Sequence, residues 1–311
     1  MKKDFYNRAS QPQAGAAAQG IPLLQRAAWE IPLRDSVSLA DVACFHGLNS
    51  MAPLKAAIDI LRQRNEEQLI EVTHTDLPTN DFGPVLDLVA GPESYKRPGV
   101  YGSVRTGTFY EPLFAPGSQS LIWCSAATHW LSRVPGPATQ LHAHLWQQQA
   151  RQDWQTWIDC RASELCVGGQ VVMVGSGADG YGRTGAEGLV TMVRETMTEV
   201  FGAKQRAQTT LPTYHRTLWE WLAPLGPRLM LKEVVEPPMP EPYWDEYQAT
   251  GDLETYVERI VAFAVAALRQ PQLSGKKTGG PFQEKLKARV RAHPELARAK
   301  WWLTILRLVK I

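Results

Sequence analysis

The sequence lacks the features by which several classes of protein are recognised. Its four cysteines among 311 residues include no CxxC pair, so neither a disulfide framework nor a zinc site of the usual spacing is predicted. No run of about 18 apolar residues is present, so no transmembrane helix is expected. The basic start, MKKDFYNRAS, is not followed by an apolar segment, which speaks against a signal peptide. We therefore expect a cytoplasmic protein with reduced thiols.

Several catalytic signatures are missing as well. No GxGxxG motif follows the first predicted strand, and the sequence has no Walker, GxSxG or HExxH motif, so the serine-hydrolase and zinc-protease classes lack support, and no metal is expected. An excess of one charge is also absent, because the net charge is only +2. The stretch Lys276–Lys310 is basic and could contact RNA or a membrane, but the solvated face of a helix explains it better. We predict neither nucleic acid nor a membrane as partner.

What is present is an alternation of short apolar segments and amphipathic helices. One helix follows the first strand, with Asn49 or Ser50 as its N-cap, and another occupies Ala150–Val167. This alternation predicts an α/β fold with a doubly wound parallel sheet, whose ligands bind at the carboxyl ends of the strands. The predicted strands are Ser38–Phe45, Gln68–Asp76, Ser120–Cys124, Gln170–Ser176 and a last one within Trp301–Ile311.

The remaining segments suggest the domain organisation. The first 20 residues are polar and then rich in Ala and Gly, which is typical of a disordered arm. From Ala178 to about Leu268 the pattern is mostly helical. We therefore predict an α/β domain made of residues 1–176 and 300–311, with residues 177–299 forming a mostly helical cap.

Acidic residues stand at or near the ends of two predicted strands. Asp41 and Asp76 could each accept hydrogen bonds from a ribose diol, although a helix cap or a solvated loop carboxylate explains either one alone. The pair His129–Trp130 follows the third strand and, taken alone, is typical of core packing. None of these signals decides a function by itself.

Taken in order, six segments carry a family resemblance. YNRASQPQ, ADVACFHGLNS and TDLPTNDF are similar to Tyr-Ala-x-Asn-Ser-x-x-Gln, Ala-Asp-Leu-Gly-Cys-Ser-x-Gly-Pro-Asn and Asn-Asp-Leu-Pro-x-Asn-Asp-Phe. GTFYEPLFAPGS, HWLSRVP and LPTYHRTLWEWL continue the series. Together they resemble the SABATH family of S-adenosylmethionine-dependent methyltransferases. That family methylates the carboxylates of small acids, such as salicylate, benzoate, jasmonate and indole acetate, or the ring nitrogens of xanthines.

The resemblance implies a Rossmann-like class I methyltransferase fold, S-adenosylmethionine as cofactor with S-adenosylhomocysteine as product, and a homodimer. It implies that the N-terminal arm is a flap, and that Gln13 and Trp130 are the catalytic donors to a substrate carboxylate. The substrate pocket would be lined by His129, Tyr214 and Trp219. Ser10, Asp41 and Asn49 would hold the amino-acid end of the cofactor, and Asp76 its ribose. The other implied cofactor residues are Tyr6, Leu77, Thr108, Phe109 and Ser125.

The implied chemistry suits these residues. A carboxylate is already ionised at neutral pH, so methyl transfer to it needs no general base. Neutral N–H donors can orient the carboxylate without the strong ground-state stabilisation that an arginine would provide. Catalysis would then depend on alignment of the reacting atoms and on exclusion of water.

The chain departs from the family pattern at a few positions. Ala43, Phe45 and His46 alter the loop beneath the cofactor, and Ala43 would be strained if its φ were positive. Ala126 replaces a tyrosine that is common in the family's pocket. The chain is also shorter than plant members, mostly in the cap, which suggests a bacterial or otherwise trimmed form.

The leading hypothesis is an O-methyltransferase that forms a methyl ester on a small aromatic or heteroaromatic acid. Two alternatives remain: methylation of a ring nitrogen in a heterocycle, and a non-catalytic ligand-binding relative.

Overall fold

The structure is a computed structural model that describes residues 10–137, 140–204, 210–268 and 280–311. Its strands are β1 (Ser36–Val42), β2 (Leu69–Asp76), β3 (Val100–Thr106), β4 (Gln119–Ser125), β5 (Leu165–Ala178), β6 (Arg216–Thr217), β7 (Leu229–Val235) and β8 (Trp302–Lys310). Its α-helices are α1 (Gln11–Glu30), α2 (Leu48–Arg64), α3 (Gly83–Ala90), α4 (Ala143–Glu164), α5 (Glu187–Phe201), α6 (Leu218–Leu222), α7 (Pro242–Thr250), α8 (Leu253–Leu268) and α9 (Pro281–Ala292). Short 3-10 helices occupy Gln140–His142 and Pro294–Ala297.

The strands form one sheet in the order β3-β2-β1-β4-β5-β8-β7, with β6 paired to β5. Strands β1 to β5 are parallel, and β8 is antiparallel to both β5 and β7. The chain starts in the middle of the sheet at β1, continues outward to β3 and then crosses back to β4. This topology confirms the predicted doubly wound α/β sheet, and it brings the carboxyl ends of β1, β2 and β4 to one edge.

The predicted strands are confirmed, with ends that shift by a few residues, and the C-terminal strand is inserted between β5 and β7. Strands β3, β6 and β7 were not predicted from the sequence. Strand β3 lies at the edge of the sheet, and most of its side chains are not buried, so it shows no apolar run. Strand β7 also lies at an edge, within the stretch that was predicted to be mostly helical. Edge strands of this kind escape a search for buried apolar segments.

The prediction of a disordered arm through residue 20 is wrong from Gln11 onward, because α1 is a helix of 20 residues. Small residues on its inner face, including Ala16, Ala17 and Ala27, are buried against the sheet. Gly20 allows the closest approach: a Cβ there would lie 2.5 Å from Val174 and 2.7 Å from Trp123. The part of the proposed flap before Ser10 lies outside the described residues.

Two predicted helix boundaries also need correction. Helix α2 begins at Leu48, directly after Gly47 in the left-handed conformation (φ 81°), so Asn49 and Ser50 belong to the first turn and are not the N-cap. Helix α4 spans Ala143–Glu164, seven residues earlier at its start than the predicted Ala150, and Gly168 and Gly169 lie inside β5. No loop separates α4 from β5, because Leu165, the residue after the last helical one, already has an extended conformation.

Four apolar clusters of buried residues lie in the described part of the chain, and the smallest of them contains Leu131, Trp146 and Ala150. One fills the face of the sheet that α1 and α2 cover, and a second fills the opposite face beneath α4. The third joins α5, α8 and α9 with Tyr243 of α7 in a helical layer of its own. All four cysteines are free thiols. In the described part of the chain, no helix combines the length and the apolar character that crossing a bilayer requires.

Candidate active site

A cavity of about 480 Å³ opens at the carboxyl ends of β1, β2 and β4, a volume within the usual range for small-molecule sites. It brings together residues that are far apart in the sequence, from the first turn of α1 to the segment after β4. The predicted site residues that line it are Gln13, Asp41, Asn49, Asp76, Leu77, Thr108, Phe109, Ser125 and Trp130. The cavity therefore gathers both implied catalytic donors and most of the implied cofactor residues.

Ser10, His129, Tyr214 and Trp219, which are among the described residues, do not line this cavity. Ser10 is buried, Tyr6 lies outside the described residues, and the Trp219 side chain is 77% exposed. The ring of His129 stacks on His215 with 5.6 Å between the ring centroids. The hydroxyl of Tyr214 donates to Glu220 at 2.7 Å, which holds the phenol away from the cavity.

The loop between β1 and α2 forms the floor of the cavity in a strained conformation. Ala43 and Phe45 have φ values of 64° and 49°, and Gly47 follows at 81°. The condition under which strain was predicted at Ala43, a positive φ, is met, and the two non-glycine residues carry a cost of roughly 1–2 kcal/mol each. Contacts with β2 hold the loop, because the Phe45 N–H donates to Asp76 at 2.7 Å and Asn80 donates to the Phe45 carbonyl at 2.8 Å.

Asp76 ends β2 with both carboxylate oxygens fixed. Oδ2 accepts the Phe45 N–H at 2.7 Å, and Oδ1 accepts the Leu77 N–H at 2.8 Å. Burial raises the pKa of this carboxyl, while the two N–H donors act in the opposite direction. Each oxygen can still accept a second hydrogen bond. The carboxylate is thus preorganised to receive two hydroxyl groups from the cavity side.

The segment that carries Thr108 and Phe109 is held by a buried ion pair on α4. Arg161 and Glu164 are both buried, with 2.7 Å between Nε and Oε2. Arg161 donates to the Phe109 carbonyl at 3.0 Å, and Glu164 accepts the Leu113 N–H at 2.5 Å. No sequence motif pointed to this pair, because it lies about 50 residues from the loop that it positions.

The segment 128–132, which carries Trp130, is fixed along its main chain by several other elements. The Thr128 carbonyl accepts from Arg216 at 2.6 Å, and the Trp130 carbonyl accepts from the Tyr110 hydroxyl at 2.5 Å. Further contacts run from Tyr214 N to the His129 carbonyl, from Leu131 N to the Pro212 carbonyl, and from Ser132 N to Asp153. The main chain around the Trp130 indole therefore has little freedom to move.

The histidine pair behind this segment is neutral near pH 7. Burial is the largest cause that lowers the pKa of His129 to about 3 and that of His215 to about 4. His215 Nδ1 shares a hydrogen bond of 2.7 Å with the Ser176 hydroxyl. Both rings are therefore packing groups with no positive charge at neutral pH, and His215 also takes part in a hydrogen bond.

Residues 2–146 match the profile of the family described as SAM dependent carboxyl methyltransferase. The matched segment, just under half of the chain, is therefore similar to that family. Every predicted cofactor residue, together with Gln13 and Trp130, lies within the matched range.

Similar sequences come from fungi and plants. Methyltransferase FUS9 of Gibberella fujikuroi is 30% identical over 234 residues, which cover 68% of this chain and 63% of that protein. Gibberellic acid methyltransferase 2 of Arabidopsis thaliana is 24% identical, over 55% of this chain and 52% of its own length. The chain thus spans less than two thirds of the length of these two relatives. They lend no support to the expectation of a bacterial form.

One solved structure has the same fold over the whole chain. Loganic acid methyltransferase with SAH superposes with a TM-score of 0.82 and 19% identity, covering 100% of this chain and 97% of that one. This similarity confirms the class I methyltransferase fold that the resemblance implied. Unlike the family profile, it extends over the helices and strands after residue 146.

The cavity fits the cofactor that the family name implies. Asp76 presents two oriented carboxylate oxygens to a ribose diol, and Asp41 presents an anionic group suited to an ammonium. The buried oxygens Gln13 Oε1 and Ser125 Oγ have no hydrogen-bond partner in the described protein. Buried polar atoms are normally satisfied. These two atoms, on the wall of the cavity, are therefore available to a polar ligand.

Proposed function

We propose that this protein is an S-adenosylmethionine-dependent O-methyltransferase that forms a methyl ester on the carboxylate of a small aromatic or heteroaromatic acid. The observation that carries the proposal is the composition of one cavity. Paired acceptors at Asp76 face it from one side, and the side chains of Gln13 and Trp130 line it as well. The named activities of the fungal and plant relatives support this class of reaction, although the chain matches only part of their length.

The side chains of the protein would position the cofactor and the substrate and exclude water from the cavity. When bound, S-adenosylmethionine supplies a methyl group on a positively charged sulfur. Asp76 would hold the ribose hydroxyls, Leu77, Thr108 and Phe109 would surround the adenine, and Asp41 with Asn49 would hold the amino-acid end. Gln13 and Trp130 would donate N–H groups to the substrate carboxylate. Since the nucleophile is already an anion, alignment and exclusion of water are the main contributions.

Further parts of the proposal concern the rest of the molecule. Residues 177–299 other than β6 and β7, which belong to the sheet, would act as a cap over the substrate, an idea supported by the bridge between Trp130 and Thr213. We also propose a homodimer located in the cytoplasm, which the free cysteines would suit. Light scattering of the purified protein tests the homodimer.

Two measurements test the function in sequence. Calorimetry with S-adenosylhomocysteine comes first, because absence of binding would favour a non-catalytic relative. Methyl transfer from labelled S-adenosylmethionine is then measured on a panel of carboxylic acids and azaheterocycles. Label that is lost under mild alkali identifies an ester. Label that resists alkali, on an azaheterocycle only, would replace the proposal with ring-nitrogen methylation.

A further inference from the structure

Three buried polar side chains form a hydrogen-bonded chain behind the cavity wall. Asp41 is 2% exposed, and its Oδ2 lies 2.7 Å from His74 Nδ1. His74 is 0% exposed, and its Nε2 lies 2.8 Å from the Tyr95 hydroxyl. The two strands bring the first pair together, because Asp41 on β1 and His74 on β2 are register partners. Neither His74 nor Tyr95 was singled out from the sequence.

The polarity of these hydrogen bonds follows from the groups involved. A carboxylate can only accept, so the network assigns the proton to His74 Nδ1, which donates to Asp41. His74 Nε2 is then an acceptor for the Tyr95 hydroxyl. Burial is the largest cause that raises the pKa of Tyr95, so this hydroxyl keeps its proton. With one ring nitrogen as donor and the other as acceptor, His74 pairs with both Asp41 Oδ2 and the Tyr95 hydroxyl.

Packing alone does not explain a histidine at this position. The surrounding strand residues Val37, Leu39, Ile70 and Val72 are apolar and buried. An apolar side chain would fill the same space without the desolvation cost of an imidazole. A fully satisfied buried polar chain instead restricts its members to one geometry.

A metal site explains the cluster no better. Donor atoms of Asp41, Cys44 and His74 lie within 4.8 Å of one another. However, His74 uses both ring nitrogens within the protein. Burial is also the largest cause that raises the pKa of the Cys44 thiol well above its ordinary value, so the thiol keeps its proton. The arrangement suits orientation of Asp41 rather than coordination of a cation.

We infer that His74 and Tyr95 are positioning residues for cofactor binding, which act by holding one oxygen of Asp41. With Oδ2 bound to His74, Oδ1 is the oxygen left for the ammonium group at the amino-acid end of the cofactor. The adenosine end, near Asp76, would not sense this contact. The inference rests on the proposed function, since it presumes that S-adenosylmethionine occupies the cavity.

The test compares two ligands that differ only at the amino-acid end. S-adenosylhomocysteine carries the amino-acid arm, whereas methylthioadenosine is the same type of adenosine thioether without it. Calorimetry is carried out on the full chain, on H74L and H74N, and on Y95F. For H74L we expect the Kd of S-adenosylhomocysteine to rise by about 10-fold to 100-fold, the value of one hydrogen bond to a charged group. For Y95F we expect this Kd to rise by about 3-fold to 10-fold, because Tyr95 reaches Asp41 only through His74.

The affinity for methylthioadenosine should change by less than about 3-fold in each variant, because that ligand makes no contact with Asp41. T73V is the matched control. Thr73 is next to His74 on β2, and its hydroxyl lies 3.1 Å from the Ser103 hydroxyl. Removing the Thr73 hydroxyl should change the affinity for neither S-adenosylhomocysteine nor methylthioadenosine. Thermal unfolding of each variant shows whether it is folded, and Y95F, which loses one oxygen atom, serves if the His74 variants do not fold.

Two outcomes would overturn the inference while leaving the proposed function intact. One is an equal loss of affinity for both ligands in H74L and Y95F, which indicates general distortion of the cavity. The other is unchanged affinity for S-adenosylhomocysteine in both variants. If the unaltered protein binds neither ligand, the proposed function fails, and the inference fails with it.

Discussion

At the scale of single residues, the side of the cavity where we propose that the substrate binds is lined by side chains with uncharged N–H groups. Gln13 and Trp130 both line it, and neither brings a positive charge. An arginine at this place would bind the carboxylate more tightly in the ground state and so reduce its reactivity, whereas neutral donors orient it at a lower cost. The amide and the indole are therefore the residues whose removal should affect turnover most.

The substitution W130F keeps most of the ring but removes the N–H donor. We expect turnover to fall by roughly 10-fold to 1,000-fold, because a single positioned donor contributes about 1.5–4 kcal/mol. Steady-state kinetics with the best acid of the panel measures the change, and the affinity for S-adenosylhomocysteine should stay the same.

W219F is the matched control, since that indole is 77% exposed and lies outside the cavity lining. Equal turnover of W130F and the unaltered protein would contradict the donor role.

At the scale of elements, several helices, strands and loops hold the main chain of one short irregular segment, residues 128–132. Residues 128–132 have no regular structure of their own, yet β6, the Pro212–Tyr214 segment, α4 and the loop after β3 each bind their main chain. Sites supported in this way keep their geometry better than free loops do. The position of Trp130 thus depends on groups that never contact the ligand.

The Tyr110 hydroxyl provides a direct test of that support. Y110F removes the donor to the Trp130 carbonyl and should lower kcat by about 3-fold to 10-fold, the value of one neutral hydrogen bond. If Tyr110 acts through Trp130, its effect should disappear when W130F is already present, as a double-mutant cycle would reveal. Full additivity of the two substitutions would show that Tyr110 acts on its own.

Helix α1 offers a second test at this scale. The change G20V places a branched side chain where even a Cβ would lie 2.5 Å from Val174 and 2.7 Å from Trp123. Overpacking of this kind should lower the free energy of unfolding by about 1–3 kcal/mol. Chemical denaturation measures it, with A18V on the exposed face of the same helix as control. If G20V and A18V had equal effects, α1 would not pack as closely as described.

At the scale of the whole molecule, ion pairs join the basic C-terminal stretch to other elements of the described part of the chain. Cations of the basic C-terminal stretch pair with carboxylates from other elements: Arg289 with Glu195 and Glu199, Arg291 with Glu254, Arg298 with Glu241, and Arg307 with Glu30. Paired in this way, these arginines offer little to a polyanion. This pairing agrees with the prediction that nucleic acid is not a partner, which stays a prediction.

The buried histidines should make the stability of the whole molecule depend on pH. His215 has a pKa of about 4 in the folded protein, against an ordinary value of 6.5. Below pH 6.5 the unfolded chain therefore binds more protons at this residue than the folded protein, so the free energy of unfolding falls as the pH falls towards 4. The stabilising contribution is complete above about pH 7.

The variant H215Q removes this titration. Between pH 7 and pH 5, we expect the unaltered protein to lose about 1–2 kcal/mol more stability than H215Q does. Denaturation curves at the two pH values measure the difference. A change at the exposed His144, H144Q, is the control and should leave the pH dependence as it is. Parallel curves for H215Q and the unaltered protein would contradict the buried, neutral state of His215.

How much could be predicted from the sequence differs between parts of the fold. The parallel central strands could be recognised because both of their faces are buried, which produces continuous apolar runs such as that of β4. Strand β3 could not, because an edge strand with mostly unburied side chains has no such run. Helix α1 was missed because Ala and Gly resemble a disordered arm in composition, and only packing on the sheet makes that segment a helix.

The same division holds for the candidate site. Local sequence determined the residues at the strand ends, such as Asp41 and Asp76, since a motif and the strand it ends are continuous in the chain. Only the tertiary structure decided which side chains hold those residues in place, because His74 reaches Asp41 across 33 positions and Arg216 reaches Thr128 across 88. Such contacts depend on strand register and on the packing of the helices, and no short window of sequence contains either.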